Sequence, residues 1–148
     1  MKINLEINNL AKSPVKKSFL EITIRKTLQE AGFAFGTKNI VVSLALVSQS
    51  EIKKLNRQYR KINKATDILS FSEYKNAKEI KKDPARELFL GELILCYDEV
   101  KSYAQKQKIP VKKELAEVLA HGLLHLLGFR HGKKMFAIQK SIANKVTK

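Results

Sequence analysis

The chain has 148 residues, 44% of them hydrophobic, and 29 lysines and arginines against 14 aspartates and glutamates leave it with a net charge of +15. That apolar content suits a packed core and excludes a disordered tail, while a single cysteine, Cys96, excludes an internal disulfide and fits a reducing compartment. No apolar run approaches a membrane span and the alternating start, Met1 to Ile7, does not read as a signal peptide, so no membrane partner and a cytoplasmic location are expected.

Along the chain, Lys2 to Asn8 sets Ile3, Leu5 and Ile7 against polar neighbours, the period of a half-buried strand. Ser13-Pro14 pairs a capping residue with a proline and predicts a helix through Phe19, Ile22 and Leu28 to Gly32. Asn39 to Val47 is apolar on both faces and predicts a central strand. Ser50 is positioned to cap a second helix with Ile52, Leu55 and Tyr59 inward and a solvated stripe of Lys53, Lys54, Arg57 and Lys61 outward.

Thr66 to Ser72 predicts a third strand, residues 73–86 a loop, and Leu88 to Cys96 a fourth strand. Asp98 is positioned to cap a short helix through Val100 and Ala104. Pro110 opens a long one ending at Gly128, and Met135, Ile138, Ile142 and Val146 lie at helical spacing near the C-terminus. The order β-α-β-α-β-β-α-α-α predicts a single α+β domain over residues 1–148, a mixed sheet of about four strands packed with about five helices.

The charge is uneven. Residues 101–148 hold eleven basic side chains against Glu114 and Glu117, residues 51–86 hold eleven against five acidic ones, and residues 87–100 are net acidic. A polyanion such as RNA is drawn to the two basic segments, although a solvated lysine-rich surface has the same composition.

All three histidines lie in His121-Gly122-Leu123-Leu124-His125-Leu126-Leu127-Gly128-Phe129-Arg130-His131. His121 and His125 are four apart in a proline-free apolar run, which puts both rings on one helix face. Gly128 ends the helix and lets His131 turn back towards them. Three neutral imidazoles on one point make a metal site, expected to hold one Zn²⁺ per chain with a fourth position open. Metzincin peptidases share the spacing but carry a glutamate base after the first histidine. Here that position is Gly122, so a peptidase on this helix lacks its base.

The histidine stretch resembles the signature of the YbeY family of metal-dependent endoribonucleases. Leu55-Asn56-Arg57-Gln58-Tyr59-Arg60, Thr66-Asp67-Ile68-Leu69-Ser70-Phe71 and Leu90-Gly91-Glu92-Leu93-Ile94 are similar to further blocks of that family in the same order. The resemblance implies a zinc-dependent, single-strand-specific endoribonuclease of ribosomal RNA maturation (the 16S 3′ end) and ribosome quality control, with ribosomal particles among its partners. It also implies a functional arginine at Arg60. There are two departures: Arg130 replaces the family's aspartate before the third histidine, and the acidic segment that follows is cut to Gly132-Lys133-Lys134.

Around the site, the resemblance makes Arg60 the catalytic and phosphate-holding group, a role open to a guanidinium that can hold two phosphoryl oxygens at once, although from the residues alone it is one of four similar cations. Asp67 is a candidate proton acceptor or a turn cap. Ser70 and Phe71 are expected to close the site from the strand, Phe71 as a base platform or as core. Glu117, one turn before His121, is a candidate acceptor for a ring N–H or a solvated carboxylate. Arg130 either touches phosphate or is a plain surface change. The alternatives to a nuclease are another zinc hydrolase and a basic RNA- or ribosome-binding protein with weakened catalysis.

Overall fold

In the computed structural model, which describes residues 1–148, the strands are β1 (Lys2–Asn9), β2 (Asn39–Leu46), β3 (Ile68–Ser72) and β4 (Glu87–Leu95). The helices are α1 (Lys17–Glu30), α2 (Gln49–Arg60), α3 (Ala77–Lys82), α4 (Tyr97–Gln107), α5 (Val111–Leu126) and α6 (Lys133–Val146). The sheet runs β1-β2-β4-β3, with β1, β2 and β4 parallel and β3 antiparallel to β4. The α+β class and the four-stranded mixed sheet agree with the sequence reading.

Strand alternation sorts the side chains between two faces. Ile40, Val42, Leu44 and Leu46 of β2, with Leu88, Leu90, Leu93 and Leu95 of β4, join the large core under α1, α5 and α6. The step from Leu90 to Leu93 breaks the period of two. It coincides with a bulge, where Val41 pairs with Phe89 but Val42 with Gly91, and the extra residue resets the alternation. The other face holds a smaller core of Val47, Ile52, Leu69, Ile94 and Cys96, covered by α2.

Several boundaries differ from expectation. There are six helices, because residues 73–86 are not all loop: α3 forms there. Asn76 accepts from the Glu79 N–H at 2.9 Å and Glu79 accepts from the Lys75 N–H at 3.0 Å, a reciprocal cap. Ile80, the one residue of α3 that is buried, anchors the turn in the large core. Ser48, not Ser50, caps α2, accepting from the Glu51 N–H at 3.2 Å. Ser13 caps nothing, since it is tied to Asn9 by two bonds of 2.9 Å and α1 starts at Lys17. Asp98 lies inside the first turn of α4, whose first carbonyl acceptor is that of Cys96.

Helix α5 stops one residue before its C-cap, Leu127. Gly128 then takes φ +91°, the Phe129 N–H donates to Leu124 O at 3.0 Å and the Gly128 N–H to His125 O at 3.0 Å. This pair of bonds is the Schellman closure, which needs a left-handed residue at the glycine. It turns the chain back along the helix end and carries His131 with it.

Candidate metal centre

The three histidines converge. Nε2 of His125 lies 3.1 Å from Nε2 of His121 and 3.0 Å from that of His131, and the third separation is 3.3 Å. The outward nitrogens of the first two rings are anchored. The Nδ1–H of His121 donates to the side-chain oxygen of Gln139 at 2.7 Å, and that of His125 donates to the Phe129 carbonyl at 3.2 Å. Those bonds leave lone pairs on the two inward Nε2 atoms. Lone pairs so close repel unless a cation or a proton lies between them. Four-coordinate zinc with nitrogen ligands at ~2.0–2.1 Å needs neighbouring nitrogens only about 3.3 Å apart, so the donor set fits such an ion. Burial, then the neighbouring His121 and His131, hold the pKa of His125 below the ordinary imidazole value, which favours the neutral ligand form.

The sheet sets the height of this cluster. Gly122 faces the strands, and a Cβ there would fall 2.5 Å from Ile68 Cδ1 and 3.1 Å from Leu93 Cδ2. The glycine that deprives a peptidase of its base is thus a point of close approach between α5 and the sheet. Ser70 donates to the Gly122 carbonyl at 3.1 Å and Ser72 to the His125 carbonyl at 3.3 Å, which clamps β3 to the same turn of α5.

The histidines open into a cavity of about 610 Å³ whose other walls include Tyr59, Arg60, Asp67, Ser70 and Phe71. Arg60 is the last residue of α2 and exposed, and its charge bears on His125. Asp67 is the cavity's one carboxylate. Its Oδ1 accepts from the Ile68 N–H at 2.7 Å and its carbonyl accepts from the Cys96 N–H at 2.8 Å. Burial raises its pKa, against the Ile68 N–H and the charge of His121, which lower it. It therefore serves as a local strand cap and still faces the site.

These features decide which comparison with known proteins carries weight. The family described as Endoribonuclease YbeY matches residues 6–147. The chain belongs to the YbeY endoribonuclease family. It is 39% identical over 133 residues to the Endoribonuclease YbeY of Buchnera aphidicola subsp. Baizongia pistaciae, covering 88% of this chain and 80% of that protein. It is 36% identical to that of Limosilactobacillus reuteri, over 95% of each chain. A Thermotoga maritima protein solved in solution has the same fold, with a TM-score of 0.62 and 30% identity over 97% of this chain and 89% of that one. Membership makes the chain a nuclease of the hydrolase class with RNA as its substrate, and no helix is long and apolar enough to cross a membrane.

One expectation is corrected. Glu117 does not accept the His121 ring N–H: Gln139, from α6, does, while Glu117 lies 4.0 Å from Lys140. Long helical side chains lean towards the helix N-terminus, which takes the Glu117 carboxylate away from the turn that bears His121. Ser70 lines the cavity, but its hydroxyl proton is already donated to α5. Phe71 is half-buried against the smaller core, and the exposed ring beside it is Tyr59. Arg130 is exposed and unpaired, and no group of the chain bonds Nδ1 of the adjacent His131. Gln139 carries one signal in the sequence: it is a polar residue between Ile138 and Ile142 on the apolar stripe of α6, and only 8% exposed.

Proposed function

We propose that the chain is a zinc-dependent, single-strand-specific endoribonuclease of the cytoplasm, acting in ribosomal RNA maturation at the 16S 3′ end and in ribosome quality control on ribosomal particles. The observation that supports this reading is the convergence of three Nε2 atoms, 3.0–3.3 Å apart, in one cavity with Arg60. His121, His125 and His131 hold the ion. Bound zinc supplies Lewis acidity towards a phosphoryl oxygen and lowers the pKa of a water it binds towards ~7.

The rest of the work falls to the chain. Arg60 holds the scissile phosphate by two oxygens and stabilises the charge that grows on them. Asp67 is the one carboxylate on the cavity wall and takes the proton of the attacking water on its free oxygen, Oδ2. Gly122 and its contact with Ile68 leave no room for a base directly after His121. Ser70 positions the histidine turn, and Arg130, exposed and next to His131 in the chain, contacts phosphate. Metal content of the purified protein, with RNA cleavage measured before and after chelation, tests the reading. Metal-free protein that cleaves at the full rate overturns it.

A second reading is favoured by the unsupported Nδ1 of His131: an RNA- or ribosome-binding protein whose metal affinity and catalysis are weakened. Metal loss during purification without loss of RNA binding distinguishes it.

A further inference from the structure

Helix α2 runs into the metal cavity, and its last two residues, Tyr59 and Arg60, are both part of the wall. Tyr59 is 57% exposed, and its hydroxyl bonds no other group of the chain. Phe71 packs against it edge-to-face, with ring centroids 5.2 Å apart. The two rings differ in what they serve. Phe71 packs on the smaller core, whereas Tyr59 stands largely in solvent. An aromatic ring held by a second ring, standing in water beside a phosphodiesterase cavity, has its apolar area available to a ligand.

The outer face of the same helix is cationic and unpaired. Lys53, Arg57 and Arg60 stand at i, i+4 and i+7, on one stripe with steps of about 4.5–6 Å along the axis. All three are exposed, and the chain's two ion pairs involve other lysines, Lys140 and Lys145. Like charges at that spacing disfavour the helix. A polyanion laid along them removes the repulsion.

We propose that α2 is the track for single-stranded RNA at this site: a base flanking the cleaved bond stacks on Tyr59, and the phosphates of the same strand run along Arg60, Arg57 and Lys53. The inference rests on the reading of the cavity as the endoribonuclease site and adds the strand's path and the source of its strand preference. A base inside a duplex has both faces covered by its neighbours, so only a splayed base can reach the ring. The cavity, at about 610 Å³, is in the ~300–1,000 Å³ range that encloses a small ligand rather than a helix.

The chain contains no tryptophan, so Tyr59→Trp places a unique fluorophore on the platform. The probe is a 2′-O-methyl octamer, offered as a single strand and as a duplex, with affinity followed by anisotropy of a labelled strand. The single strand quenches the indole and the duplex does not. Tyr59→Ala weakens single-strand binding by about 5- to 100-fold, the range for loss of one stacked base, and Tyr59→Phe keeps it. Lys53→Gln and Arg57→Gln each lower the log–log salt slope by ~0.7, while Tyr59→Ala leaves the slope unchanged. The track is overturned if wild-type protein binds the single strand but Tyr59→Ala binds it equally well, or if the duplex quenches the indole as strongly. Wild-type protein that binds neither probe overturns the reading of the cavity as an RNA site, and the track with it.

Discussion

The side-chain oxygen of Gln139 lies 2.7 Å from Nδ1 of His121 and ties the first histidine of the cluster to the C-terminal helix. Gln139 is nearly buried, and its oxygen can only accept, so the ring must present its bare Nε2 to the other two histidines. Such outer partners of ligand histidines are worth about 10- to 100-fold in metal affinity. Gln139→Leu keeps the volume and removes the acceptor, so it lowers zinc affinity by that factor in a chelating-dye competition. Gln139→Glu keeps an acceptor and restores the affinity. Equal affinity in wild type and Gln139→Leu shows that the bond does not orient the ring.

Holding the ion and holding the phosphate are separable. His125→Ala removes the ring that sits between the other two, 3.1 and 3.0 Å from them, and elemental analysis of that variant should find no retained metal. Arg60→Ala retains it, because a guanidinium cannot bind a cation, and lowers cleavage by about 10²-fold, the typical effect of losing one charge-stabilising donor. Metal loss in Arg60→Ala, or full metal in His125→Ala, refutes the division of roles.

A second cavity beside the histidines, with Asp67, Glu114 and Glu117 in its wall, makes a pH prediction. Glu114 has its pKa pushed up to about 7 by burial, then by Glu117 and Asp67, with Lys140 opposing. A carboxyl raised in the folded state binds more protons there than in the unfolded chain, where it titrates near 4.5. Folding stability from this group is therefore highest at low pH and falls as pH rises from about 4.5 to about 7. Glu114→Gln abolishes that dependence. Chemical denaturation of both proteins in chelator should show the variant gaining on wild type as pH rises through the window. A constant difference shows that Glu114 titrates normally.

The histidine cluster is legible in the sequence because its determinants are local. Four-residue spacing puts His121 and His125 on one face of α5, and the glycine that closes the helix returns His131, so two rules of helix geometry suffice. The support was not legible for the opposite reason. Gln139 comes from α6, eighteen residues from His121, and no spacing rule links two helices, so Glu117, the near neighbour, stood in for it. Helix α3 was missed because six residues with one buried side chain, Ile80, carry no period to read. Its existence depends on the Asn76 cap and on where Ile80 lands. The exposure of Tyr59 was equally hidden. Its spacing from Ile52 and Leu55 marks an inward face, but α2 ends at the cavity and the last turn of that face has nothing to cover it.

Arg130 is the last residue whose role the geometry constrains. It is exposed beside His131, the one ligand whose Nδ1 no group of the chain bonds. A carboxylate at that position is close enough in sequence to accept the Nδ1–H, which fixes the ring and raises its basicity as Gln139 does for His121. Arg130→Asp should therefore tighten zinc binding by about tenfold or more. The same change replaces an exposed cation next to His131 with an anion, so single-stranded RNA should bind more weakly, with a log–log salt slope smaller by ~0.7 for the lost phosphate contact. Arg130→Gln separates the two effects, because it removes the charge without placing an anionic acceptor beside His131. It should lower the salt slope as Arg130→Asp does and leave zinc affinity closer to wild type. Dye competition and RNA titrations at several salt concentrations decide both. Zinc affinity and salt slope that are unchanged in Arg130→Asp show that this position contributes neither to the ion nor to the substrate.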